Sequence, residues 1–147
     1  MNIVKAFRKA FEQKDSRGWD KIYVLVDVHG TIMQGVHQKN ELHLWYTWAL
    51  PVLKTLSDMG GVCLIMWTGS HESSIQATLS ELAKRGIRFD YVNENPEAED
   101  NEFYCGAGKI YFNVGIDDRF GFEPESDWLE LYKYLLTIKS DKTEKSN

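Results

Sequence analysis

Three carboxylates and a hydroxyl-bearing loop fall at the ends of apolar runs. Asp27 closes Ile22–Val26, Thr68-Gly69-Ser70 follows Val62–Trp67, and Asp117-Asp118 follows Ile110–Ile116, with Lys109 just before that last run. His29 and Thr31 lie just beyond Asp27. Nearly unbroken β-branched and aromatic runs read as strands of a parallel sheet covered on both faces. Ligands of such sheets bind outside the carboxyl ends of the strands, where loops converge and helix N-termini point N–H groups outward. Carboxylates, a hydroxyl and an ammonium gathered there suit a phosphoryl group. The carboxylates would hold Mg²⁺, a hard cation that takes oxygen ligands and keeps several waters plus a substrate phosphate. Thr68, Gly69 and neighbouring backbone N–H groups would hold phosphoryl oxygens, and Lys109 would offset the gathered negative charge.

The elements that must position these residues follow from periodicity. Ile3, Val4, Phe7, Ala10 and Phe11 form the stripe of an amphipathic helix over 1–17, broken at Asp15-Ser16-Arg17-Gly18. After the first strand, Ile32-Met33 and Val36-His37 suggest a small hairpin. Leu42, Trp45, Tyr46, Ala49, Val52, Leu53 and Leu56 predict a helix from near Asn40 to Gly60-Gly61, kinked or broken at Pro51. Ile75, Leu79, Leu82 and Ala83 mark the next helix, closed by Gly86; Phe89–Val92 reads as a third strand, 93–108 as a long acidic loop, and Ile110–Ile116 as a fourth strand. A last helix over 126–139 takes Ser126 as N-cap, and 141–147 is a polar tail expected to fray. Strands alternating with helices specify an α/β fold: a mostly parallel sheet in a three-layer, Rossmann-like arrangement with helices on both faces. At 147 residues the chain is one domain, its motif-bearing core spanning 22–119.

The ordered motifs resemble those of the haloacid dehalogenase (HAD) superfamily. They are Asp27-Val28-His29-Gly30-Thr31, Trp67-Thr68-Gly69, Lys109, and Ile116-Asp117-Asp118-Arg119. Val92-Asn93-Glu94-Asn95-Pro96 and Lys109-Ile110-Tyr111 extend the likeness to small capless members from bacteria and phages, so that it covers approximately Ile22 to Arg119. Any one motif is weak evidence; four in order at strand boundaries are strong. The resemblance implies a Mg²⁺-dependent phosphatase in which Asp27 attacks phosphorus and forms an aspartyl-phosphate. It also implies that Asp27, the backbone carbonyl of His29 and Asp117 hold the metal, with Asp118 in support. A response-regulator receiver uses the same residue types, but its acidic pair follows the first strand and its phosphorylated Asp the third. Here the single Asp comes first and the pair last.

The chain departs from the superfamily at His29, where its phosphatases carry the Asp that protonates the leaving oxygen and later deprotonates water. Imidazole, with a reference pKa of about 6.5, is able to do both. The alternative is an impaired domain that binds Mg²⁺ and a phosphorylated ligand or partner without efficient turnover. Between Thr31 and Thr68 lie 36 residues and between Gly69 and Lys109 lie 39, both consumed by the helix and strand the sheet needs, so there is no room for a large cap. An open site suits a small phosphorylated metabolite or a phosphate on a bulkier substrate.

A net charge of −5 and the acidic stretch Glu94–Glu102 argue against nucleic acid as a partner. The longest unbroken apolar stretch, Val62–Trp67, is too short to span a bilayer, and charges scattered through Met1–Arg17 leave no signal-peptide core. A cytoplasmic protein is expected; its oligomeric state is left open. Cys63 and Cys105 have no metal-ligand spacing and read as reduced thiols. Trp45, Trp48, Trp67 and Trp128 fall on apolar stripes and default to core packing. His37, His43 and His71 default to exposed positions, and Arg119 is placed to reach either a phosphate or the acidic loop.

Overall fold

The computed structural model describes residues 2–34, 44–98 and 109–145, with side chains through residue 139. The Val36-His37 arm of the expected hairpin, the helix start near Asn40, His43, Cys105 and most of the acidic loop lie outside those residues. The elements are α1 (Ile3–Arg17), β1 (Ile22–Asp27), α2 (Ala49–Asp58), β2 (Val62–Trp67), α3 (Glu72–Ala83), β3 (Tyr91–Val92), β4 (Val114–Ile116) and α4 (Pro124–Lys145), with 3-10 turns at Pro96–Ala98 and Asp118–Phe120. Among the described residues no helix is long and apolar enough to cross a membrane.

All strand pairs are parallel, in the order β3-β2-β1-β4. The chain therefore steps outward from β1 through β2 to β3 and then returns to the other side of β1. Strand order reverses between β1 and β4, and the crevice at their carboxyl ends is where open α/β sheets take their ligands.

Alternation sorts the strand residues onto two faces. Val24, Val26, Leu64, Met66, Val114 and Ile116 join buried residues of all four helices, among them Phe7, Leu53, Leu82 and Trp128, in the main core. Leu25, Cys63 and Ile65 face the other way, packed against Tyr23, Tyr91, Ile110 and Phe112. The return connection from β3 to β4 supplies that third layer. Glu97 of its 3-10 turn fastens it, accepting hydrogen bonds from Tyr91 Oη at 2.7 Å and Lys21 Nζ at 2.9 Å. Burial, and then the carboxylates of Asp90 and Glu97, push the Cys63 thiol up to about 12, so it is an inert packed thiol.

Several boundaries differ from the sequence reading for local reasons. β3 and β4 are shorter than their apolar runs because polar side chains enter the ladder: Asp90 Oδ2 accepts the Leu64 N–H at 2.9 Å and Asn113 Oδ1 the Tyr23 N–H at 2.8 Å. α2 starts at Ala49, so Pro51 sits in its first turn, where a missing N–H costs nothing, and it neither kinks nor breaks the helix. Ahead of it Trp45 pairs antiparallel with Met33, and the Tyr46 N–H donates to the Ile32 carbonyl. α4 starts at Pro124 rather than after Ser126, with the Glu123 carbonyl accepting from the Ser126 and Asp127 N–H groups, and it runs on through most of the expected tail. α1 is capped by Asn2, whose side chain accepts the Lys5 N–H, and closed by Gly18 in the left-handed conformation.

Candidate metal and phosphoryl site

Asp27 ends β1, and the chain folds back directly after it. The Val28 carbonyl accepts the N–H groups of Thr31, Ile32 and Met33, which returns the Thr31 side chain to Asp27. Gly30 holds φ +81° in this loop, and a Cβ there would lie 3.0 Å from Asp118 Oδ2. Glycine therefore supplies both the turn and the close approach to the carboxylate. The buried Thr31 hydroxyl donates to Asp27 Oδ2 at 2.9 Å and accepts the Asp118 backbone N–H at 3.1 Å. One side chain thereby joins the β1 and β4 ends.

β4 delivers Asp117, 6% exposed, whose Oδ1 accepts the Arg119 N–H at 2.9 Å. Asp27, Asp117 and Asp118 each offer a carboxylate oxygen, all within 4.8 Å of one another. Burial, with the charges of Asp117 and Asp118 adding to it against the Thr31 hydrogen bond, pushes the Asp27 carboxyl up to about 6. Burial also raises Asp117, opposed by the Arg119 N–H and guanidinium charge. Asp27 and Asp117, both held above the ordinary carboxylate range, and Asp118 beside them form an all-oxygen donor set that fits a hard divalent cation, which relieves the repulsion.

The hydroxyl arm comes from the β2 end. Asn93, just past β3, adopts φ +55°, a left-handed conformation that asparagine tolerates better than most residues. Its amide clasps the Thr68 main chain: Oδ1 accepts the Thr68 N–H at 2.8 Å and Nδ2 donates to the Thr68 carbonyl at 2.7 Å. Thr68 Oγ1 donates to Ser70 Oγ at 3.1 Å, and Ser70 Oγ lies 3.4 Å from His29 Nδ1. His29 is exposed and links the carboxylate loop to the hydroxyl loop.

The structure thus brings Asp27, Asp117 and Asp118 together and reaches Thr68 through His29 and Ser70. Lys109 is not joined to either group: it is exposed, five residues ahead of β4, and makes no hydrogen bond or ion pair among the described residues. Gly69 is exposed, with open space where a Cβ would stand. Arg119 serves Asp117 through its backbone N–H, and His71 sits exposed at the start of α3 without a capping hydrogen bond from its side chain. Trp67 is not in the core: it is 39% exposed at the carboxyl end of β2. The sequence placed Ser70 in the hydroxyl loop and Asn93 in a motif, but assigned neither its role: Ser70 as the partner of His29 and Asn93 as the clasp on Thr68. Asn93 carried a signal, an asparagine directly after a strand, where its tolerance of positive φ makes a tight turn cheap.

No family model and no curated relative matches the chain. A conserved protein from Bacteroides thetaiotaomicron has a similar structure, with a TM-score of 0.60 and 25% sequence identity over 82% of this chain and 92% of that one. That likeness shows the fold, a Rossmann-like α/β sheet flanked by helices.

Proposed function

We propose that this chain is a Mg²⁺-dependent phosphomonoester hydrolase working through an aspartyl-phosphate on Asp27. The observation that carries the reading is the cluster of three carboxylates at the reversal point of strand order, with Asp27 held by Thr31. The HAD-like order of the motifs supports it. Asp27, Asp117 and the His29 carbonyl would hold the ion, with Asp118 beside it. Bound there, Mg²⁺ would neutralise charge on the phosphoryl oxygens.

The Asp27 carboxylate attacks phosphorus, the bond to the ester oxygen breaks, and the departing alkoxide takes a proton from His29. Neutral His29 then takes a proton from water as the water attacks phosphorus, which releases inorganic phosphate and restores the carboxylate. Because Asn93 already holds the Thr68 N–H, the donors for phosphoryl oxygens would be the Gly69 N–H and the Thr68 hydroxyl, once it turns from Ser70 Oγ to the ligand. Lys109 enters this reading through the motif order alone. The substrate class is a small phosphorylated metabolite in the cytoplasm, admitted to an open site.

The test is a panel of phosphomonoesters assayed with and without Mg²⁺, on the parent and on Asp27→Asn. Turnover that needs Mg²⁺ and vanishes in Asp27→Asn is the expected result; an equally active Asp27→Asn overturns it. The exposed His29, standing where a carboxylate is usual, favours a second reading as a binding domain. Stabilisation by Mg²⁺ with no turnover of any ester would select that one.

A further inference from the structure

Thr68, Ser70 and His29 form a chain of polar groups from the β2 end to the β1 end. Thr68 Oγ1 donates to Ser70 Oγ at 3.1 Å, and Ser70 Oγ lies 3.4 Å from His29 Nδ1. The Ser70 N–H in turn donates to Thr68 Oγ1 at 3.2 Å. Nδ1 is thereby committed to Ser70, and Nε2, which has no partner among the described residues, is the ring nitrogen left for the leaving oxygen and for water.

Counting hydrogens gives this chain a direction. A hydroxyl has one hydrogen to give and two lone pairs, and a neutral imidazole carries its hydrogen on one nitrogen only. Hydroxyls polarised the same way reinforce one another. With Thr68 giving its hydrogen to Ser70, that sense sends the Ser70 hydrogen on to Nδ1, and the neutral ring carries its own on Nε2. Nε2 is then unable to take a proton from water. A phosphoryl oxygen at Thr68 claims the Thr68 hydrogen and reverses the chain. Ser70 then donates to Thr68 Oγ1, whose two lone pairs accept the Ser70 N–H and O–H. Only lone pairs of Ser70 Oγ remain to face the ring, so Nδ1 must carry the hydrogen and donate it, and the Nε2 lone pair is open. The exchange releases one proton from Nε2 to solvent and takes one from solvent at Nδ1, so the ring stays neutral.

Resting on the hydrolase reading, we propose that Ser70 is a positioning residue whose hydroxyl reverses when Thr68 binds a phosphoryl oxygen, setting the His29 tautomer that accepts a proton at Nε2. Once the departing alkoxide has taken the Nε2 proton of the imidazolium, the neutral ring left behind is this same tautomer. The reversed chain holds it there until water attacks the aspartyl-phosphate. An exposed imidazole without such a partner would return to a mixture of tautomers.

The experiment reads the ring itself and does not depend on turnover. The protein is labelled with ¹⁵N-histidine, and two-bond ¹⁵N–¹H correlations are recorded at about pH 8.5, well above the reference imidazole pKa of about 6.5. His29 is identified by the signals lost in His29→Gln. In Mg²⁺ alone its hydrogen should lie on Nε2; with Mg²⁺ and inorganic phosphate it should move to Nδ1. The move should be lost in Ser70→Ala and in Thr68→Val, and it should return in Ser70→Thr, which restores the hydroxyl. A parent ring that keeps one tautomer with and without phosphate, or the same move in Ser70→Ala, overturns the proposal. Failure of the hydrolase reading would show separately, as turnover retained in Asp27→Asn.

Discussion

The indole N–H of Trp128 donates to the Thr31 carbonyl oxygen at 2.7 Å, so a residue of the last helix fixes the loop whose hydroxyl holds Asp27. Trp128 is fully buried, edge-on to Phe122 with ring centroids 4.9 Å apart. Trp128→Phe keeps much of the apolar contact but leaves a buried carbonyl without its partner, at a cost of about 1–3 kcal/mol. For a chain of this size each kcal/mol moves Tm by about 2–4 °C, which a thermal melt resolves. The response of Tm to Mg²⁺ should weaken in the same variant. A Tm and a Mg²⁺ response both equal to the parent's would show that α4 does not support the site.

Asp27 should destabilise the metal-free protein above pH 6. Its carboxyl is raised from 3.8 to about 6 in the fold, chiefly by burial, so the unfolded chain loses its proton first as pH rises. The penalty is absent below pH 4, grows between about 4 and 6, and is constant above. Asp27→Asn removes the charge and leaves an oxygen for the Thr31 hydroxyl. In chelator it should therefore melt higher than the parent at pH 8, and the gain should disappear towards pH 4. Millimolar Mg²⁺ should raise the parent's Tm by mass action and raise that of Asp27→Asn much less. A variant that melts below the parent at pH 8 in chelator would contradict the electrostatic account.

Asn93 should act on catalysis through Thr68 without touching the substrate. Asn93→Asp keeps an acceptor for the Thr68 N–H but places a second oxygen against the Thr68 carbonyl, where the amide now donates at 2.7 Å. Asn93→Gly accommodates the positive φ and removes both bonds. Each variant should lower kcat/KM by about tenfold, the equivalent of one or two hydrogen bonds. If Thr68 positions phosphoryl oxygens, the loss of kcat should persist at saturating substrate. Variants with parent kcat would reduce Asn93 to a turn residue.

Strand ends were the legible part of this site. Ile22–Val26 and Val62–Trp67 are apolar runs that stop at polar residues, and β1 and β2 end at Asp27 and Trp67, so Asp27 and Thr68 could be placed from the sequence. Asp117-Asp118 were placed by the same logic, although only Val114–Ile116 of that run pairs as strand. What periodicity cannot express is a polar side chain standing in for backbone. Asp90 and Asn113 take ladder positions, and Asn93 and Thr31 join loops through hydrogen bonds made only after the chain returns. Trp67 illustrates the same limit from the apolar side. Its run predicts burial, but the last residue of a strand extends past the elements packed on that face and remains exposed.

His29 decides between turnover and binding, and leaving-group chemistry separates the two. An alkyl phosphate must have its departing oxygen protonated, whereas an aryl oxide leaves with far less help. His29→Ala should therefore depress hydrolysis of alkyl phosphates by about 10²–10⁴ and that of aryl phosphates much less. Ser70 Oγ is the partner of the ring at 3.4 Å, so Ser70→Ala should lower kcat on alkyl esters by a smaller factor as the imidazole loses its orientation. His29→Asp, which places a carboxylate at this position while keeping the backbone carbonyl, should retain or raise the alkyl rate. Equal rates for the parent and His29→Ala on alkyl esters would take the imidazole out of the proton transfer. The acid would then have to be sought among other groups beside Asp27.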